Sequence, residues 1–126
     1  MRKENITHQI IGCAYKVYNQ LGFGFLESVY KKAMDIELSK IDMKVEVEKP
    51  LNVYYDESIV GDFYVDLFVE DLIVVELKAV RKIAPEHEVQ LVNYLNGLRV
   101  DIGLLINFAP DSVNVKRKYR HPVRQD

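Results

Sequence analysis

The sequence predicts an α/β domain, a central mixed β-sheet flanked by helices. Two observations carry that expectation. Apolar residues recur at helical spacing to about residue 41, and from residue 43 the period becomes two. A strand, a helix and a second strand then follow one another between residues 72 and 108, an order that implies a right-handed crossover between parallel strands.

Each element has its own signal. Ile6, Ile10, Ala14, Val17 and Leu21 place a helix over 5–21, and Gly22-Phe23-Gly24 stops it, since glycine accepts the backbone angles of a helix end. A second helix covers about 26–41, with Leu26, Val29, Tyr30, Ala33, Met34 and Ile41 as its apolar arc. Val45 and Val47 alternate with Glu46 and Glu48 in a strand that Pro50 is expected to end. Leu51, Val53 and Tyr55 form a further strand before a turn at Asp56-Glu57-Ser58. Two strands follow at about 62–69 and 72–79, around Glu70-Asp71; Leu72 to Val75 is continuously apolar, as in a strand covered on both faces. Pro85 opens a helix that runs to about Leu98. The run I-G-L-L-I within 101–108 gives another strand, and Val113 with Val115 a short last one. The expected order is α-α-β-β-β-β-α-β-β.

At 126 residues the chain is read as one domain, 1–126, able to bury roughly two-thirds of its unfolded surface without a disulfide or structural metal. Cys13 is the one cysteine, which excludes an internal disulfide and a thiolate metal cluster; on the apolar face of the first helix it reads as core. The start, M-R-K-E-N-I-T-H, carries charge where a secretory signal has its apolar core, and no stretch approaches the ~20 apolar residues of a membrane span. The expected location is cytoplasmic, with no membrane partner. A net charge of −2 argues against a uniformly basic, nucleic-acid-coating surface. Basic residues concentrate instead in a C-terminal tail, 116–126, with Lys116, Arg117, Lys118, Arg120 and Arg124. That tail is either solvated or a phosphate-contacting edge beside an acidic site.

The candidate chemistry starts at Glu76-Leu77-Lys78. On a strand, residues i and i+2 share a face, so Glu76 and Lys78 project together about 7 Å apart. About 0.4 such triplets are expected by chance at this length, so the triplet alone identifies nothing. Asp66 lies ten residues upstream in the facing strand. With a two-residue turn at Glu70-Asp71 it would sit opposite Val75 and point away from Glu76. With a three-residue turn or a bulge it pairs directly with Glu76. Two converging carboxylates repel unless protonated or bridged by a cation, and such hard oxygen ligands suit Mg²⁺ or Mn²⁺. Lys78 would then hold or help deprotonate a water. The plainer reading is an ion pair of Lys78 with Glu76 or Asp66.

Asp66 with Glu76-Leu77-Lys78 resembles the D…(D/E)-x-K signature of the PD-(D/E)XK phosphodiesterase superfamily, with Val65 where a proline often precedes the aspartate. Residues 24–30, G-F-L-E-S-V-Y, resemble the G-x-x-E-x-x-Y motif that names a bacterial family placed in that superfamily. H-E-V-Q-L-V-N-Y-L-N at 87–96 and G-L-L-I-N-F at 103–108 are similar to the same family. The resemblance implies a restriction-endonuclease-like core and a Mg²⁺ (or Mn²⁺) ion on Asp66 and Glu76. It implies that Glu27 also reaches the metal, directly or through water; by periodicity Glu27 falls inside the second helix's apolar arc, as does Glu37. His87, Gln90 and Tyr94 lie along one edge of the third helix. Gln90 and Tyr94 resemble a Q-x-x-x-Y element that flanks the metal in related nucleases, with Gln90 orienting Lys78 or touching phosphate and Tyr94 either at the substrate or in the core. His87 reads as structural.

These residues support a metal-dependent nuclease: Asp66, Glu76 and Glu27 as metal ligands, Lys78 and Gln90 at the reacting groups, and Tyr94, Lys116 and Arg117 toward a nucleic acid, DNA ahead of RNA. A domain this bare would need a partner protein, a homodimer mate or an unspecific target. The alternative class is a binding or interaction domain that keeps the fold without turnover. A third reading is a small RNA-contacting protein acting through its basic tail.

Overall fold

A computed structural model describes residues 3–120. The order of elements is α1 (Lys3–Leu21), α2 (Glu27–Lys40), β1 (Val45–Tyr55), β2 (Ser58–Val69), β3 (Ile73–Lys78), α3 (Pro85–Leu98), β4 (Ile102–Phe108) and β5 (Val113–Tyr119). One mixed sheet runs β1-β2-β3-β4-β5. Only β3 and β4 are parallel, joined across α3 as the strand–helix–strand order requires. No helix among the described residues is long and apolar enough to cross a membrane.

The expected order held one strand too many. Pro50 does not end a strand: β1 passes through it and pairs it with Tyr64. Proline lacks the N–H of a ladder bond, which matters in a central strand but is harmless on an edge strand, and β1 is the sheet edge.

Helices cover both faces. On one face α1 buries Ile6, Ile10, Cys13, Ala14 and Val17, and α2 buries Tyr30, Met34 and Leu38, against Leu67, Val69, Ile73, Val75, Leu77, Leu104, Ile106 and Phe108. The α1–α2 connection turns through Gly22 and Gly24, both at positive φ (70° and 120°). Tyr30 fixes that turn: its hydroxyl bonds to the Gly22 carbonyl, and its ring stacks on Phe108 at 4.3 Å. The other face carries α3 alone, with Leu91, Tyr94 and Leu95 on Val65, Phe68, Val74 and Leu105. Gly103 of β4 permits the approach, since a Cβ there would stand 2.8 Å from Leu91.

The β1–β2 hairpin is longer than the sheet needs. β2 pairs with β3 only at Leu67, Phe68 and Val69, while its pairing with β1 continues outward to Ser58. Where the two regimes meet, the hairpin kinks. Glu48, opposite Asp66, has φ 54°, a conformation uncommon outside glycine. Val65 faces α3 whereas Leu67, two residues on, faces α1 and α2, so the alternation resets at Asp66.

Candidate active site

The register decides whether a site exists. Val69 pairs with Ile73, leaving three residues, Glu70, Asp71 and Leu72, in the connection. Glu70 and Asp71 both take positive φ, and the Leu72 N–H returns to the Val69 carbonyl at 3.0 Å. This three-residue arrangement sets Asp66 across from Glu76. The ladder ends one residue earlier, at Leu67 and Val75. At the next step side chains replace carbonyls: the Asp66 N–H donates to Glu76 Oε2 (2.7 Å) and the Leu77 N–H donates to Asp66 Oδ2 (2.8 Å). Each carboxylate is therefore clamped to the other strand at the point where β2 and β3 part.

The strand alternation gives the rest. Ile73, Val75 and Leu77 enter the α1–α2 core, Val74 the α3 core, so Glu76 and Lys78 face the α3 side together. Glu76 is only 7% exposed. Burial first, and the neighbouring Asp66 charge second, push its pKa up to about 8, with the Asp66 N–H, Lys78 and Lys31 pulling the other way. Lys78 is half-buried and, among the described residues, makes no ion pair, so the plain salt-bridge reading of Glu-Leu-Lys does not hold. Two residues past Lys78 the chain is pinned: buried Asn107 accepts from the Val80 N–H and donates to its carbonyl, both at 2.9 Å.

Tyr94 is buried, and burial, then the charges of Glu76 and Asp66, raise its hydroxyl pKa, which sets it beside the pair. Gln90, one turn earlier, adjoins that hydroxyl and offsets part of the rise. Its amide makes no hydrogen bond to Lys78 among the described residues. His87 is structural as expected: its Nδ1 accepts from the Ala84 N–H (3.1 Å) at the start of α3.

Glu27 does not lie in the apolar packing its periodicity suggested. Glu27 is exposed in the first turn of α2, and among the described residues no three His, Cys, Asp or Glu side chains come together as a metal-ligand set. By helical periodicity it points the same way as Tyr30, Met34 and Leu38, but one turn before that packing begins. The residue that does arrive from α2 is Lys31, one turn further along. Its Nζ lies 2.9 Å from Glu48 Oε1 and 3.6 Å from Asp66 Oδ1. Burial works against its charge, but the Glu48 hydrogen bond and the Asp66 charge outweigh that and raise its pKa. Sequence reading missed Lys31, although Glu27-x-x-x-Lys31 spacing already places both on one helical face. Glu37, the other acid in the predicted arc, is committed to Lys16 and Lys40 at 3.0 and 3.1 Å.

The described part of the supposed tail, 116–120, is largely the end of β5, at the far edge of the sheet. Lys116 and Lys118 both reach Glu88 of α3, at 3.9 and 3.1 Å. Arg117 takes the other face and donates to Thr7 Oγ1 at 3.0 Å, away from the carboxylates. Arg120 pairs with Asp101, and Arg124 lies outside the described residues. A strand alternates its side chains, so these cations cannot act as one patch. Lys116 does share a hollow of about 480 Å³ with Arg81 and Lys82, from the segment just after Lys78.

A clamped carboxylate pair, one member buried, where two strands separate, with a lysine two residues on, defines a nuclease-like α/β domain. A family model of the PD-(D/E)XK nuclease superfamily matches residues 4–119, and the chain belongs to that superfamily. Among solved structures, one described as "Crystal structure of SSO0001" is similar in fold, with a TM-score of 0.56 and 18% identity. That match covers 78% of this chain and 52% of the other, so the chain spans about half the length of that protein. A search of curated proteins found no match.

Proposed function

We propose that the domain is a metal-dependent nuclease that hydrolyses phosphodiester bonds of nucleic acid, with DNA the first substrate to test. The observation that carries this is the Asp66–Glu76 pair: two clamped carboxylates, one of them buried at high energetic cost, beside a lysine that makes no ion pair among the described residues. The donors fit a hard divalent cation. Each carboxylate spends one oxygen on a backbone N–H, and the pair's mutual repulsion is what a cation would relieve. Mg²⁺ or Mn²⁺ held there would supply charge stabilisation at a phosphoryl oxygen and a more acidic water.

The chain's own groups divide the remaining work. Lys78 projects on the side of Glu76 and would orient the attacking water and offset negative charge at the phosphate. Lys31, with its Nζ 3.6 Å from Asp66 Oδ1, would help hold that carboxylate in place. Tyr94 and Gln90 wall the site on the α3 side, and Arg81, Lys82 and Lys116 give phosphates a basic approach. Glu27, one helical turn from Lys31, would reach a cation through water. The narrower likeness to the G-x-x-E-x-x-Y family rests on the motif, whose Gly24 and Tyr30 build the α1–α2 turn.

The test is cleavage of single- and double-stranded DNA and RNA in Mg²⁺ or Mn²⁺. Activity lost in both Asp66→Ala and Lys78→Ala supports the assignment; activity surviving both excludes this site. A second reading, a binding domain without turnover, is favoured by the assembly of two rather than three carboxylates among the described residues. Metal-independent binding of nucleic acid with no cleavage would select it.

A further inference from the structure

A hollow beside this site shares Gln90 and Tyr94 with it and otherwise has no part in the chemistry proposed. It is a cleft of about 600 Å³ between α3 and the outer half of the β1–β2 hairpin. That volume falls in the range of small-molecule sites, roughly 300–1,000 Å³. Its apolar side is Leu51, Val53, Phe63 and Val89. Phe63 keeps 38% of its surface exposed and leans on Tyr94 with ring centroids 5.7 Å apart, so it is an aromatic face supported from behind. Its polar side is a row of carboxamides, Gln90, Asn93 and Asn96, spaced three apart along one face of α3.

Asn96 singles this cleft out. Its Oδ1 is buried and, among the described residues, takes no hydrogen bond. Buried acceptors are almost always satisfied, and Asn96 lines the cleft, so a turn of its amide would offer this orphan acceptor to a ligand's donor. A carboxamide offers a donor and an acceptor side by side, the pattern that matches the edge of a nucleobase. An aromatic ring supplies the platform on which unpaired bases stack. The cleft has no cation in its lining and Glu86 at its rim, which disfavours a phosphate there.

We infer that this cleft is a subsite for one unpaired nucleobase of a nucleic-acid strand, the base stacking on Phe63 and hydrogen-bonding to Asn96 and Asn93. The inference rests on the nuclease reading for its ligand class and extends it, since Tyr94 and Gln90 belong to both the cleft and the carboxylate site. A strand whose phosphate lies at Asp66 and Glu76 then presents a neighbouring base to the cleft, so the substrate must be single-stranded or locally opened.

The test is binding of deoxyribonucleotide trimers in EDTA, followed by the side-chain amide signals of Gln90, Asn93 and Asn96. A trimer with an abasic central residue is the control, and removing metal separates base capture from cleavage. Intact trimers should shift these amides and bind at least roughly tenfold more tightly than the abasic one. Phe63→Ala and Asn96→Ala should each remove most of that difference. Asn93→Ala, on the exposed rim, should reduce it without affecting folding. Equal binding of the two trimers overturns the inference, as do unmoved amide signals. So does a shift of the same signals with protein concentration alone, which would put a second copy in the cleft. Cleavage with no base discrimination would sink the subsite and leave the nuclease; base capture without cleavage would do the reverse.

Discussion

The two faces of the sheet are built to opposite rules. Against α1 and α2 the packing is apolar and closed, and the largest side chains, Tyr30, Phe108, Met34 and Leu67, are fully buried. Against α3 the core is small, a carboxylate is buried within it, and a cleft opens alongside. The first face supplies the free energy that the second spends, because burying Glu76 beside Asp66 opposes folding. Stability and function are thus separated by the sheet, and mutations on the two faces should behave differently.

The largest expected effect lies on the closed face. Phe108→Ala removes the ring stacked on Tyr30 and should lower unfolding free energy by about 3–5 kcal/mol in urea titration. A much smaller loss would show that this face is not the stabilising one. Lys78→Ala should do the reverse, lowering cleavage at least about a hundredfold while stability changes by less than about 1 kcal/mol.

Much of this architecture was legible in the sequence, for identifiable reasons. The period change near residue 43 and Pro85 located the helices and strands because burial enforces those patterns. Pro50 misled, since a proline's effect depends on whether its strand is an edge, and pairing order is a tertiary property. Leu72 misled differently: apolar in a run of strand formers, it reads as strand, yet it is the third residue of the turn that sets the register. That Asp66 and Glu76 could meet was readable from their spacing once that turn was allowed, but it was the resemblance to a known signature that singled them out with Lys78. Glu27 was placed in the right direction and the wrong environment, because periodicity reports direction and not where the core stops. The positive φ of Glu48 left no readable signal, because any such preference is local and weak beside the tertiary kink that imposes it.

Glu76 gives the next prediction. Its folded pKa, about 8, stands above the ordinary carboxylate value, so the native state holds a proton that the unfolded chain releases. The stability linked to that proton is complete below about pH 4.5 and is lost as pH rises through about 8. Glu76→Gln should flatten this slope and leave the metal-free protein more stable than wild type above pH 8, by on the order of 2 kcal/mol. Parallel stability–pH curves for the two proteins would show that burial does not perturb Glu76. The smallest effect belongs to Lys31→Met, which removes a charge that favours ionised Glu76 and should move the Glu76 midpoint slightly upward in carboxyl-carbon NMR.

Calorimetric titration of Mn²⁺ into wild type and Asp66→Asn at pH 8 tests the central claim most directly. One ion taken up by wild type with release of protons, and at least tenfold weaker uptake by Asp66→Asn, is the predicted result. Equal uptake by both proteins, or none by wild type, would contradict a metal-binding role for Asp66 and Glu76.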